Sequence, residues 1–270
     1  MLLNKDRLVI FAEDEDKTLM IPQYDIVPVP SYSPKTHVFV YDISNKEKPK
    51  LLKDYNIKGY YFQSRMIENH VYFISKENVY YYGGPRPLVD MPTIKQASTT
   101  IVRPDVYYFP NPENDYVFHT IASFDVFGDE DSVKAKTFML GYSDTLYVSQ
   151  NNIYISYQKN LPWKYYEDHN EQRFYDVIVP LLPSEVRSKI NDVKNSNENS
   201  YEKWDMIADI LEGMYNKMDE DEKDEFIINA QDAIADYETK LEIERRKTVI
   251  QKIKIDEGDI EYVAKGEVPG

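Results

Sequence analysis

Few side chains in this chain stand where a reaction needs them. The four histidines are His37, His70, His119 and His169. No two of them fall in an H-x-H or H-x-x-x-H pair, so no zinc site is readable. His37 and His119 each precede an aromatic-Asp strand end, which points to a shared structural role. There is no cysteine, which excludes a thiolate nucleophile, a disulfide and a Cys-ligated metal. The acidic run Asp219–Glu225 resembles the first half of a calcium loop. It has Asp224 where that loop needs Gly and Ala230 where it needs Glu, so it reads as a solvated helix start. Asp129-Glu130-Asp131 reads as a soluble turn. No G-x-S-x-G, G-x-x-x-x-G-K-[ST] or G-x-G-x-x-G motif occurs, and Gly83-Gly84 opens no helix that could cradle a phosphate. The sequence thus assigns no catalytic residue, no metal ligand and no cofactor.

Two sets of residues recur instead. Asp42, Asp125 and Asp256 each follow an aromatic or aliphatic strand residue. A carboxylate repeated once per unit suggests architecture, such as the capping of a turn, because a catalytic group is rarely needed in every repeat. The second set is aromatic. Tyr80–Tyr82, Tyr107-Tyr108-Phe109, and Trp163 with Tyr165-Tyr166 fall at expected strand ends or in loops. Tyr and Trp bring large contact area at low entropic cost, so Tyr81, Tyr108, Trp163 and Tyr165 form a candidate recognition surface. The plainer alternative, favoured on type alone, is that these rings fill space between sheets.

The elements carrying these residues are mainly strands. With 24 Tyr and 11 Phe, the chain is rich in residues that suit a pleated surface. Arg7–Ala12, Thr36–Ile43 and Gly59–Ile67 read as strands, and Val71–Ser75 with Val79–Tyr82 reads as a tight hairpin around Lys76-Glu77-Asn78. Ser75–Tyr81 matches Ser149–Ile155 at an offset of 74 positions, and Tyr41-Asp42-Ile43 matches Phe124-Asp125-Val126 at an offset of 83. A third copy begins near Val249, with Ile255-Asp256 in place of Phe124-Asp125. Repeated units of about four antiparallel strands suggest a β-propeller, with a β-sandwich as the alternative. The expected fold is mainly β: two four-stranded blades over residues 1–166, an acidic α-helical insertion over 167–247, and the start of a third blade over 248–270. Inside the insertion, Tyr201, Trp204, Ala208, Leu211, Tyr215 and Met218 form one helical seam. Ile227, Ala230, Ile234, Tyr237 and Leu241 form another. Ser184 opens a helix with Val186, Ile190 and Val193 on one face, and a further helix is expected near Glu171–Val179.

Charge is unevenly placed. The 270 residues carry a net charge of -15. Residues 167–247 hold 22 acidic and 11 basic side chains, against 25 and 21 elsewhere. Such a balance excludes a phosphate-reading role, which needs a basic face, so no nucleic-acid partner is expected. No stretch reaches the ~18 uncharged apolar residues of a membrane-spanning helix. The start of the chain, charged by Lys5, does not resemble a signal peptide.

Leu8-Val9-Ile10, Phe39–Ile43, Ser64–Ile67 with Val71–Ile74, and the ending Ile260–Gly270 resemble the archaeal and bacterial β-propeller-domain proteins. These are secreted proteins with a C-terminal propeller distantly related to WD40 repeats. The similarity covers residues 1–166 and 247–270, and the helical stretch is similar to an insertion that varies in the family. The resemblance implies a secreted or cell-surface location, and it carries over no catalytic residue. A ring needs about four to eight blades. The chain is therefore expected to be part of a split or truncated propeller, which light scattering would show as an oligomer or aggregate. The expected function is a non-enzymatic binding or scaffold module. Its partner is a protein, the missing remainder of the propeller, or a second copy met through the helical insertion. The alternative is a hydrolase-like enzyme acting on carbohydrate or peptide, with carboxylates or a Ser/His pair on one propeller face.

Overall fold

The computed structural model describes residues 1–20, 29–79, 91–128 and 133–270. The chain folds as two compact units, a β unit of Met1–Asn160 with Lys247–Val268 and a helical unit of Leu161–Arg246. Within the β unit the strands are β1 (Leu2–Asn4), β2 (Arg7–Met20), β3 (Val29–Asp42), β4 (Lys50–Lys58), β5 (Tyr60–Ile67), β6 (His70–Asn78), β7 (Ile94–Gln96), β8 (Thr99–Val102), β9 (Asp105–Tyr108), β10 (Val117–Asp125), β11 (Lys134–Leu140), β12 (Thr145–Val148), β13 (Asn152–Gln158), β14 (Lys247–Asp256) and β15 (Asp259–Pro269). They form three open sheets, in the orders β1-β2-β3-β4-β7-β8, β5-β6-β10-β11-β9 and β12-β13-β14-β15.

One plan underlies all three sheets. A first hairpin (β1–β2, β5–β6, β12–β13) is followed by a second (β3–β4, β10–β11, β14–β15), and the third strand of each sheet pairs antiparallel with the second. Asp42, Asp125 and Asp256 each end that third strand. Between the two hairpins, a connection joins the second strand to the third. It is residues 21–28 in the first sheet, 79–116 in the second, and the whole helical unit in the third.

The middle sheet is buried on both faces, as the period-two side-chain alternation of a strand allows. Val71 and Phe73 face Val9, Val38, Val40, Tyr55 and Ile57 of the first sheet. Their neighbours Tyr72 and Ile74 face Ile153, Ile155, Val249 and Ile253 of the third. The same division on β10 sends Ala122 and Phe124 one way and Ile121 the other, so eight of its nine residues are buried.

Two strand expectations are corrected. Lys76-Glu77-Asn78 is no turn: it is the C-terminal end of β6, all three residues paired with β10 and Lys76 with β5 as well. A polar run can stay in a strand because Lys76 Nζ bonds Ser143 O at 2.7 Å and stands 3.8 Å from the Phe62 ring centre. The turn of that hairpin is Glu68-Asn69, with Glu68 at φ 52. Tyr80–Tyr82 lie outside the described residues. Ser149–Asn151 is a true turn, so the match at an offset of 74 positions equates the C-terminal end of β6 with a hairpin tip. Residues 248–270 do not start a new sheet either. β14 pairs with β13, Ile253 opposite Ile153, and completes the sheet that β12 begins.

The helical unit contains α1 (Trp163–Arg173), α2 (Ser184–Lys194), α3 (Ser200–Tyr215) and α4 (Glu220–Arg245), with a wide turn at Phe174–Ile178 after α1 and a tight one at Val179–Leu181. Asn199 with Glu202 and Asp219 with Glu222 each form a reciprocal capping box, which fixes the starts of α3 and α4. The core holds Val179, Leu182, Ile190, Val193 and Ile207, with Trp204, Leu211, Met214 and Phe226 against it. The expected seams hold in part: Trp204 and Leu211 face inward, and Ala230, Ile234, Tyr237 and Leu241 are half-buried, but Ile207 and Met214 face inward where Ala208 and Tyr215 were expected, and Phe226 where Ile227 was. Steps of three and four fit adjacent faces of a helix equally well, and only packing decides between them.

Candidate functional site

The expected aromatic surface does not assemble within one unit. Tyr81 lies outside the described residues, and Trp163 opens α1. Tyr165, also on α1, lies 3.8 Å from the His169 ring, whose Nδ1 meets Tyr165 O at 2.6 Å. Tyr108 belongs to the β unit. It ends β9, 58% exposed, 6.4 Å from the Tyr116 ring. Asp42 and Asp125 close like turns, accepting the Ser44 N–H at 2.9 Å and the Phe127 N–H at 2.8 Å, each two residues on. Asp256 runs into the two-residue turn Glu257-Gly258 and pairs with Lys254 at 3.4 Å. His37 meets Asp54 at 3.0 Å, whereas His119 is wholly buried with Nε2 unpartnered, so their similar strand positions serve different contacts.

The repeated plan gives the β unit two unlike ends. At one end every sheet makes short turns, and these touch. Asn4 Nδ2 donates to Glu68 O at 2.9 Å, and Gly258 N donates to the Tyr72 hydroxyl at 2.8 Å. Lys53 Nζ donates to Gly128 O at 2.6 Å. From the opposite end leave the three second-to-third connections, hereafter excursions. The roots of the second and third are tied by one carboxylate. Glu113, only 5% exposed, lies between β9 and β10, and its Oε2 accepts the Asn160 N–H at 3.0 Å. Asn160 O in turn accepts from Asn114 N at 2.6 Å. Asn160 is the last residue before the helical unit, and Lys247 resumes the β unit, with Lys159 N bonded to Lys247 O at 3.1 Å. Glu267 adds a second tie: it meets Lys159 at 3.1 Å, Lys265 at 3.0 Å and Lys247 at 3.8 Å. Lys265 and Lys159 hold its carboxyl below the usual range.

Around Glu113 polar side chains gather in the core. A Cβ at Gly141 would stand 2.7 Å from the Tyr157 ring and 3.0 Å from Glu113 Oε2, so only glycine lets the two approach. Burial raises the Glu113 carboxyl, partly offset by the Asn160 N–H and by Lys159 and Lys265. Burial, then the charge of Glu113, raises the Tyr157 phenol, and the neighbouring Gln251 and Asn111 amides act against them. Gln251 Oε1 accepts from the Tyr262 hydroxyl at 3.2 Å, and Asn111 Oδ1 accepts from Lys265 Nζ at 3.0 Å. Glu113 Oε1 has no partner, while the Asn111 and Gln251 amides face the Tyr157 hydroxyl. Sequence reading missed this cluster, because its members are spread from position 111 to 262 and none lies in a motif. The one local signal was the turn-rich run Pro110–Asp115.

The helical unit has a groove of about 620 Å3, with Val186, Ile210, Met214 and Phe226 in its floor and Asp209, Glu222 and Glu225 on its rim. Among the described residues, no three His, Asp or Glu side chains group as metal ligands, and no helix is long and apolar enough to cross a membrane.

Comparison with known proteins bears on the fold. The chain is 24% identical over 242 residues to the uncharacterized protein MJ1554 of Methanocaldococcus jannaschii, an alignment covering 85% of this chain and 35% of that protein. The chain thus spans about a third of the length of that relative. No solved structure matches it. The family model for the beta propeller domain matches residues 1–270, helical unit included. Three sheets on one strand plan agree with that match, and the chain belongs to the β-propeller domain family.

Proposed function

We propose that the chain is a non-enzymatic binding module of the β-propeller type, each sheet serving as one blade, and that it meets a protein partner through the end from which the excursions leave. One observation carries this reading: the two long connections of the second and third sheets, residues 79–116 and the helical unit, both join the second strand to the third and so leave from the same end of the strand plan. A rigid sheet scaffold with variable connections gathered at one end is a common way to build a recognition surface. The acidity of the helical excursion favours a basic partner surface, because complementary charge speeds encounter and suppresses wrong partners.

Excision of residues 161–246 tests the reading. Lys159 N and Lys247 O are already hydrogen-bonded, so a short Gly-Ser link can rejoin the β unit without strain. The expected result is an unchanged strand signal in circular dichroism together with loss of partner recovery in affinity purification. Recovery equal to that of the full chain would overturn it.

A further inference from the structure

We propose that the groove of the helical unit holds a short basic amphipathic helix of a protein partner. The groove exists because the helices do not close on one another. α2 packs along α3, whereas α4 packs mainly on the turns at Phe174–Ile178 and Val179–Leu181 and keeps none of its residues fully buried. A space of about 620 Å3 is left between α2, the second half of α3 and the start of α4. Val186, Ile210, Met214, Met218 and Phe226 line it and stay half-buried, so apolar surface that the unit's own core does not cover faces solvent. Gly213 adds an independent observation. It lies inside α3 on the groove wall, and a Cβ there would meet nothing within 4 Å. Its φ is not positive either, so neither packing nor backbone path requires glycine. Only proline is a poorer helix former. What glycine provides at this place is bare helix backbone, to which an occupant can come close.

The walls and the rim select the occupant. The walls are helices, whose backbone hydrogen bonds are internal, so the groove offers no strand edge to pair with. A chain segment that enters must satisfy its own backbone, as a helix does, and can lay apolar side chains at helical spacing along the groove. On the rim Glu185 is paired with Lys189 at 2.7 Å. That leaves Asp209, Glu222 and Glu225 against Lys217 among the described lining residues. Lysine or arginine beside the apolar anchors complements this rim, and an acidic helix is repelled by it. The same charge opposes a second copy of this chain, since residues 167–247 hold 22 acidic and 11 basic side chains.

The proposal rests on the reading of the chain as a protein-binding module, and it names the partner segment and its seat. The experiment is a methyl NMR titration of the full-length chain carrying 13C-methyl methionine. The probes are the peptide Ac-LKKLLKLLKKLLKL-NH2 and its analogue with glutamate for every lysine. Saturating shifts of the Met214 and Met218 methyls are expected with the lysine peptide and none with the analogue, while Met66 and Met139 of the β unit stay still. Gly213→Leu puts a side chain into the groove and keeps a good helix former. It is expected to weaken the peptide about tenfold or more without lowering the melting temperature. Asp209→Asn with Glu225→Gln is expected to weaken it several-fold at low salt and to flatten its salt dependence. Absence of binding, equal binding of the two peptides, shifts spread evenly over the methionines, or an affinity unchanged by Gly213→Leu would each overturn the proposal. So would a dimer in light scattering that Gly213→Leu dissolves, because it assigns the groove to a second copy. Should Gly213→Leu not fold, the double charge variant decides, and unchanged affinity and salt dependence there would overturn the proposal. A partner lost on excision of residues 161–246 but still recovered with Gly213→Leu leaves the module reading standing and overturns the groove.

Discussion

The Tyr72 hydroxyl accepts the backbone N–H of Gly258 at 2.8 Å, joining residues 186 positions apart and tying the middle sheet to the hairpin turn of the third. The bond is buried, and Ser123 Oγ bonds Gly258 O beside it, so both polar groups of Gly258 are satisfied by the neighbouring sheet. Tyr72→Phe keeps the ring in the core and strips the turn of its acceptor. The expected loss is about 1–3 kcal/mol, the range for stranding a buried donor. Urea unfolding followed by far-ultraviolet circular dichroism measures it, and a loss near zero would mean that water replaces the phenol.

Glu77 lies inside β6 with Oε2 unpartnered, and burial pushes its carboxyl up to about 6 against a weak opposing pull from Lys58. A carboxyl raised on folding contributes stability that is complete below its unfolded value of 4.5 and is lost as pH rises through about 6. Glu77→Gln removes the charge that burial penalises. The variant is expected to be more stable than the parent by roughly 1–2 kcal/mol at pH 7.5 and equal to it at pH 4. Melting temperatures of both proteins at the two pH values decide this, and a gap that does not shrink on acidification would refute it.

His119 titrates with the opposite sign. Its ring is fully buried, and burial holds it down to about 3, with the Lys76 charge pushing the same way. A base lowered on folding contributes stability that is complete above its unfolded value of 6.5 and is lost as pH falls through about 3. The His119 window overlaps that of Glu77, so the two groups oppose each other there. His119→Leu removes the titration together with the unpartnered Nε2. Its acid-unfolding midpoint is expected to move to lower pH, by an amount that pH-jump circular dichroism reads directly. An unmoved midpoint would place the acid sensitivity in other groups.

How much of this was legible beforehand depends on the range of the interaction concerned. The strand-rich character, the helical excursion and the recurrence of Asp42, Asp125 and Asp256 follow from local pattern, since turn chemistry and periodicity act over a few residues. The starts of α3 and α4 carry their caps, Asn199 and Asp219, in the sequence. Lys76-Glu77-Asn78 misleads because its polar types resemble a turn, while the Ser143 carbonyl and the Phe62 ring that keep Lys76 in a strand are supplied by tertiary structure. The third sheet misleads because β14 finds β13 only across the whole helical unit, a pairing that no local window contains. The Glu113 cluster is illegible for the same reason: Asn111, Tyr157 and Gln251 have ordinary neighbours in sequence and meet only when the sheets pack.

Two glycines give the last prediction, because the same substitution has opposite signs at them. At Gly141 a methyl group would meet the Tyr157 ring at 2.7 Å and Glu113 Oε2 at 3.0 Å. The ring is buried, so Gly141→Ala must shift either Tyr157 or the strand end. The expected cost is about 1–3 kcal/mol, as for overpacking elsewhere in protein cores. Gly213 lies inside α3, and a Cβ there meets nothing within 4 Å. Alanine at a helix interior is favoured over glycine by roughly 0.5–1 kcal/mol, since the unfolded chain loses freedom and the helix gains a better former. Gly213→Ala is therefore expected to raise the stability of the helical unit. Hydrogen exchange of backbone amides, read separately over β13 and over α3, resolves the two effects. Faster exchange in β13 for Gly141→Ala and slower exchange in α3 for Gly213→Ala is the expected pair. Equal exchange at β13 in parent and variant would show that the Glu113–Tyr157 contact on Gly141 yields without cost.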